Sequence, residues 1–196
     1  MYWVGMDTDP RTSPDALAEF NRFYSTTHVH EVIAAHRGFL TATRYELVEP
    51  DPRGGAHAGP RWLAIYDMAD EAAAEQYLKD NQRPWLHRKR YSPWPPARKR
   101  ASTVWRMIWR HVAADESSDW PAESMLTVGT SAPAVQPEED GSARAVQLQL
   151  YREFAHPAPG CPRFCSIYDP PTAPPPSQAD DTVIWRLTYR RIPPPD

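Results

Sequence analysis

Three short motifs occur twice in this chain, in the same order, and that ordered repetition limits the fold more than any other feature of the sequence. Val4-Gly5 recurs as Val128-Gly129, Ile65-Tyr66-Asp67 as Ile167-Tyr168-Asp169, and Trp105-Arg106 with Trp109-Arg110 as Trp185-Arg186 with Tyr189-Arg190. Self-similarity of this kind marks one supersecondary unit used twice. The stretch 145–154 supplies a counterpart for a further strand, so the second copy holds four strands like the first.

The first copy is the fuller one. Alternation of Tyr2, Val4 and Met6 against Trp3, Gly5 and Asp7 predicts a strand over 2–7. Ser13 followed by Pro14 is an N-cap with a first-turn proline, and the helix it opens runs over 14–35, kinked near Thr26 and Thr27, to a stop at Gly38. Strands follow over 39–49 and 61–68, joined by the Pro/Gly-rich loop 50–60; a helix over 70–80 starts on Asp70 and Glu71, and a last strand covers 103–112. The order βαββαβ is the ferredoxin-like arrangement.

Spacing shows what the second copy lacks. Tyr66 to Trp105 is 39 residues but Tyr168 to Trp185 is 17; Gly5 to Tyr45 is 40 but Gly129 to Tyr151 is 22. Neither short interval has room for a helix and its loops, so both helices are expected to be missing from the second half, with no helix over 170–181. Face patterns agree. Val146, Leu148 and Leu150 oppose Gln147 and Gln149, while Val183, Trp185, Leu187 and Tyr189 oppose Arg186, Thr188 and Arg190, as in a sheet covered on one side. Strand 103–112 is apolar on both faces and should be covered twice. The expectation is an α+β fold: a ferredoxin-like half over 1–114 and a helix-depleted half over 115–196, their sheets packing as an α/β barrel within one chain, a monomer with an internal pseudo-dimer or a homodimer.

The motifs N-x-F-Y-x-x-x-H-V from Asn21, G-F-L-x-A-x-R-Y from Gly38, R-W-L-A-I-Y-D from Arg61 and V-W-R-x-I-W from Val104 resemble the dimeric α/β-barrel superfamily, nearest its EthD-like and polyketide-cyclase-like branch. The resemblance covers the first 112 residues well and the rest only through the worn repeat. It implies a pocket between helices and sheet in each complete half, hence one pocket here, in the first half. Members include cofactor-free oxygenases, cyclases, dehydratases and dehalogenases, and proteins without known activity, so the fold does not choose the chemistry.

Helical spacing puts Phe20, Tyr24 and His28 on one stripe, with Asn21 and Glu31 at its edge. His28 is the candidate base, Tyr24 and Asn21 are donors to an enolate-like oxyanion, and Glu31 or Asp67 would fix a tautomer. A His on such a stripe also suits a hydrogen-bonded core. Arg44 and Arg106 suit a substrate carboxylate or carbonyl, or equally salt bridges at strand ends. Trp3, Tyr66 and Trp105, with Trp62 and Trp109, suit a flat apolar ligand, or equally the filling of the barrel. The first function expected is cofactor-free cyclisation, dehydration or isomerisation of a polyketide-like or aromatic intermediate; a cofactor-free monooxygenase and a non-catalytic binding or assembly protein are the alternatives.

A net charge of -3 argues against nucleic acid as partner. The basic, Trp-interrupted segment 83–110 is a patch that would suit an acyl-carrier protein. With no long apolar run and no basic, apolar leader, the expectation is a cytoplasmic protein off the membrane, and its Ala, Arg, Pro and Asp content suits a GC-rich bacterial genome. Cys161 and Cys165 are too few for a disulfide framework and are read as buried thiols. His28 and His30 diverge by roughly 200° on a helix, so no metal is expected, and no nucleotide-binding or nucleophile-elbow signature occurs. Haem on His28 has no support beyond its occurrence in some relatives.

Overall fold

A computed structural model describes residues 1–50, 59–82, 91–113, 122–133, 145–153, 161–168 and 182–193. Among the described residues there are eight strands: β1 Tyr2–Thr8, β2 Phe39–Glu49, β3 Trp62–Met68, β4 Ala101–Ala113, β5 Ser124–Thr130, β6 Ala145–Glu153, β7 Phe164–Tyr168 and β8 Val183–Arg191. The helices are α1 Pro14–Phe23, continued through a π-helical turn Tyr24–His28 into α2 Val29–Ala35, and α3 Glu71–Asn81. Ser13 caps α1 through Ala16 N, and Asp70 caps α3 through Ala73 N at 2.8 Å. The kink expected at Thr26 and Thr27 is the π-helical turn, within which the Thr26 hydroxyl bonds back to the Arg22 carbonyl at 2.9 Å.

Every strand pair is antiparallel, and the ladder closes in the order β1-β3-β2-β8-β5-β7-β6-β4. The two sheets expected to pack face to face are therefore one hydrogen-bonded barrel, because β2 pairs with β8 and β4 with β6 at the seams between the halves. An eight-stranded barrel is just wide enough for side chains to fill. Here Trp3, Tyr45, Leu63, Ile65, Trp105, Met107, Trp109, Leu148, Trp185, Leu187 and Tyr189 fill it. Of the apolar faces expected of β6 and β8, Val146, Leu148, Trp185, Leu187 and Tyr189 belong to this core and Leu150 packs partly against it, but Val183 does not, because the register shifts beside it and Ile184 packs there instead; the thiol of Cys165 is in the same core, and Cys161 is partly buried against it.

The repeat is visible in the register. Gly5 lies opposite Trp105 with an irregularity just after it, and Gly129 lies opposite Trp185 with the same irregularity. Leu63 opposite Gly5 corresponds to Cys165 opposite Gly129, and Tyr45 opposite Leu63 to Leu148 opposite Cys165. Leu148, not Tyr151, is thus the counterpart of Tyr45. Tyr151 points outward, where its hydroxyl bonds Glu75 of α3. Trp105 and Trp185 stack across the interior at 4.5 Å and 18°.

A second core lies outside the barrel. There Phe20, Tyr24, Val29 and Val32 of the helical run, and Ala74 and Tyr77 of α3, cover Tyr2, Met6, Ala64, Tyr66 and Ile108. Gly38, at φ 88°, turns the chain from α2 into β2 and leaves no room for a Cβ beside Ala73. The intervals 134–144 and 169–181, where helices of the second half would fall, lie outside the described residues. Among the described residues no helix is long and apolar enough to cross a membrane.

Candidate functional site

Between the helical run and the outer face of β1, β3 and β4 is a cavity of about 310 Å³. Strand alternation decides its floor. Tyr2 pairs with Tyr66 and Val4 with Arg106, so these side chains share the outer face. Tyr24, His28, Val32 and His36 line it from the helices, Tyr77 and Asn81 from α3, and Tyr91, Trp94 and Arg98 from the segment leading into β4.

His28 stands at the end of the π-helical turn, a device frequent at functional sites. Its ring packs against Trp94 at 4.2 Å, Tyr24 at 5.1 Å and Tyr91 at 5.3 Å. Burial lowers its pKa to about 4 against the opposing pull of Glu31, with Arg98 and Arg44 lowering it further. The imidazole is thus neutral at pH 7, and its Nδ1 is buried without a hydrogen-bond partner. Asn81 Nδ2 and Arg106 Nε are two more buried polar atoms left unpartnered on the same cavity. Buried polar groups ordinarily find a partner, so three such atoms on one cavity mark a place for a polar guest.

Phenols form the other part of the wall. Tyr2 stacks on Tyr66 at 5.8 Å, the Tyr24 and Tyr66 hydroxyls share a hydrogen bond, and so do those of Tyr2 and Tyr77. Burial raises the pKa of Tyr2, Tyr24 and Tyr66, so all three are neutral donors. Tyr91 is held over the cavity by His36 Nε2 at 2.9 Å. Glu31 Oε1 accepts from the backbone and hydroxyl of Ser92 at 2.9 and 2.5 Å, which fixes the same segment.

Of the residues expected in the site, the structure brings together Tyr24, His28, Tyr66 and Arg106, with Glu31 beside them. It does not bring in the rest. Asn21 is the clamp of Arg44: the guanidinium donates to the Asn21 carbonyl at 2.9 Å, Asn21 Oδ1 at 2.8 Å and Ser25 Oγ at 2.9 Å, and lies 4.3 Å over the Tyr24 ring. Burial lowers the Arg44 pKa to about 10, and the side chain anchors α1 to β2 in place of a substrate. Trp3 and Trp105 fill the barrel, because each neighbours in sequence a residue that faces the cavity and must point the other way. Asp67 faces away from Tyr66 for the same reason and accepts from the Thr41 hydroxyl. Among the described residues no cluster of three or more His, Cys, Asp or Glu could hold a metal ion.

Sequence reasoning missed Tyr2, His36, Tyr77, Asn81, Tyr91, Trp94, Arg98 and Thr103. Tyr2 was within reach, since it alternates with Trp3. Tyr91, Trp94 and Arg98 come from a proline-broken stretch without periodicity, where no pattern tells which side chains turn inward. Comparisons with protein-family models, curated proteins and solved structures find no match. What fold and site define is a class: a filled α+β barrel with a polar, aromatic-walled cavity under the helices outside it.

Proposed function

We propose that the protein is an acid/base enzyme, a cyclase, dehydratase or isomerase whose own side chains act on an enolisable polyketide-like or aromatic small molecule. One observation carries the reading: His28, neutral and with an unpartnered Nδ1, meets tyrosine hydroxyls and an arginine in one cavity. A neutral imidazole takes the proton from the carbon next to a carbonyl. Phenolic donors and Arg106 stabilise the enolate that results. Burial makes His28 a weak base in the free protein, but the enolate that forms beside the arginines opposes their charge and favours the imidazolium that His28 becomes.

The neighbour order β4-β1-β3-β2, with helices after β1 and after β3, supports a ferredoxin-like first half and kinship with the dimeric α/β-barrel superfamily. The reading includes a cytoplasmic location, and the basic, Trp-interrupted segment 83–110 makes an acyl-carrier protein its candidate macromolecular partner. The low basicity of His28 also favours one alternative, a non-catalytic binding protein; a monooxygenase of the same fold uses the same cavity.

The test is proton exchange at the central carbon of 1-phenylbutane-1,3-dione in deuterated buffer, without oxygen. The protein should accelerate it. His28→Gln should lower that acceleration by about two to four orders of magnitude with unchanged thermal unfolding, and Tyr24→Phe by a smaller factor. No acceleration would leave the binding reading in front, whereas turnover only with oxygen would select the monooxygenase.

A further inference from the structure

Arg98 and Arg106 both line the cavity, and no carboxylate is found among the described residues that line it. Glu31, which faces His28, is engaged by Ser92, and Asp80, beside Asn81, accepts from Gln76 at 2.9 Å. Burial lowers the pKa of Arg98 against the opposing pull of Tyr24, and the nearby charge of Arg106 lowers it further. Arg98 is held in place by the Ala101 carbonyl at 2.7 Å and lies 5.3 Å from the Trp94 ring. Arg106 has a buried Nε without a partner, and among the described residues it has no ion pair. A third cation, Arg44, stands on the same outer face, because Arg44 pairs with Ala64, Ala64 with Val4, and Val4 with Arg106.

Like charges held together away from water are costly unless an opposite charge joins them. We infer that the cavity takes a conjugated carboxylate, its carboxylate bridging Arg98 and Arg106 and its planar body lying between Trp94 and the tyrosines. Guanidinium forks match a carboxylate in geometry as well as charge. The walls are aromatic, and a volume of about 310 Å³ suits a body of one or two fused rings. This inference rests on the acid/base reading only for its place beside His28.

Binding of 2-naphthoate, 2-naphthamide and inorganic phosphate to the full chain is followed by calorimetry and tryptophan fluorescence. Naphthoate should bind about ten- to a hundredfold more tightly than the isosteric amide, as charge-assisted hydrogen bonds to an arginine pair imply. Arg106→Gln should abolish that preference while leaving the ligand-free protein about as stable as the parent, since the half-buried Arg106 leaves its Nε without a partner. Arg106→Lys should keep part of it. Equal binding of acid and amide, tighter binding of phosphate than of naphthoate, no binding of naphthoate, or a large loss of stability in Arg106→Gln would each overturn the inference. The outcome is separable from the proposed chemistry. His28→Gln should still prefer naphthoate, and a failed preference would leave proton exchange on the neutral diketone untouched.

Discussion

Burial keeps the His28 imidazole neutral, and that sets the sign of a pH effect. Its pKa is lowered to about 4 in the folded protein, while the unfolded chain retains the ordinary value near 6.5. Between those values the unfolded state binds a proton that the native state does not, so stability falls as pH drops through the window and is fully present above it. Urea unfolding at pH 7 and pH 4.5 should reveal this. His28→Gln should lessen the loss by on the order of 1–3 kcal/mol, and an unchanged difference between the two pH values would mean that the ring is already hydrated. The same scale shows what could be read in advance. Tyr24 and His28 were legible because helical spacing alone puts them on one stripe. Trp3, Asp67 and Trp105 were misplaced although the period of two forbids adjacent strand residues from sharing a pocket, so there the information was present and unused. Asn21 and Arg44 are a different matter, since whether an arginine meets a ligand or the helix above it depends on packing that no local pattern encodes.

Elements were the most legible level, because apolar period and end signals act locally. β2 spans the same residues in sequence and structure, and the helical run stops at Ala35 with His36 as an extended C-cap, just before the turn at Gly38 that the sequence marks. The two irregularities that repeat in β1 and β5 could not be foreseen, yet each follows a glycine whose surroundings repeat as well. A Cβ on Gly5 would lie 2.5 Å from Pro60 Cγ and 3.0 Å from Trp105 Cβ; one on Gly129 would lie 2.8 Å from Pro162 Cγ and 2.6 Å from Trp185 Cε2. Each half thus sets a glycine beneath a proline and a tryptophan. Gly5→Ala and Gly129→Ala should each destabilise by about 1–3 kcal/mol, as overpacking does. Because Trp105 stacks on Trp185, the double variant should depart from additivity by about 0.5 kcal/mol or more. Strict additivity in denaturant titrations would show that the stack does not couple the two sites.

At the scale of the molecule, the pseudo-symmetry raises the question of whether the first half can close a barrel with a second copy of itself. Corresponding positions inside the barrel answer it. Trp3 corresponds to Thr127, Tyr45 to Leu148, Leu63 to Cys165 and Trp109 to Tyr189, so at each of these layers the first half carries the larger side chain. A closed barrel holds a fixed interior volume, and the smaller residues of β5 to β8 are what let the larger ones of β1 to β4 fit. Two first halves would overfill it at several layers, each costing about 1–3 kcal/mol. One first half alone would expose Trp3, Tyr45, Leu63, Trp105 and Trp109 to water. Residues 1–113 by themselves should therefore form neither a well-folded monomer nor a tight homodimer. Expressed together with residues 122–196, they should associate one to one and regain the near-ultraviolet dichroism of the stacked Trp105 and Trp185. Light scattering on the co-purified fragments checks the stoichiometry. A first half that is monomeric on its own, with a sharp thermal transition, would mean that its outer core under the helices carries the stability and that closure of the barrel is dispensable.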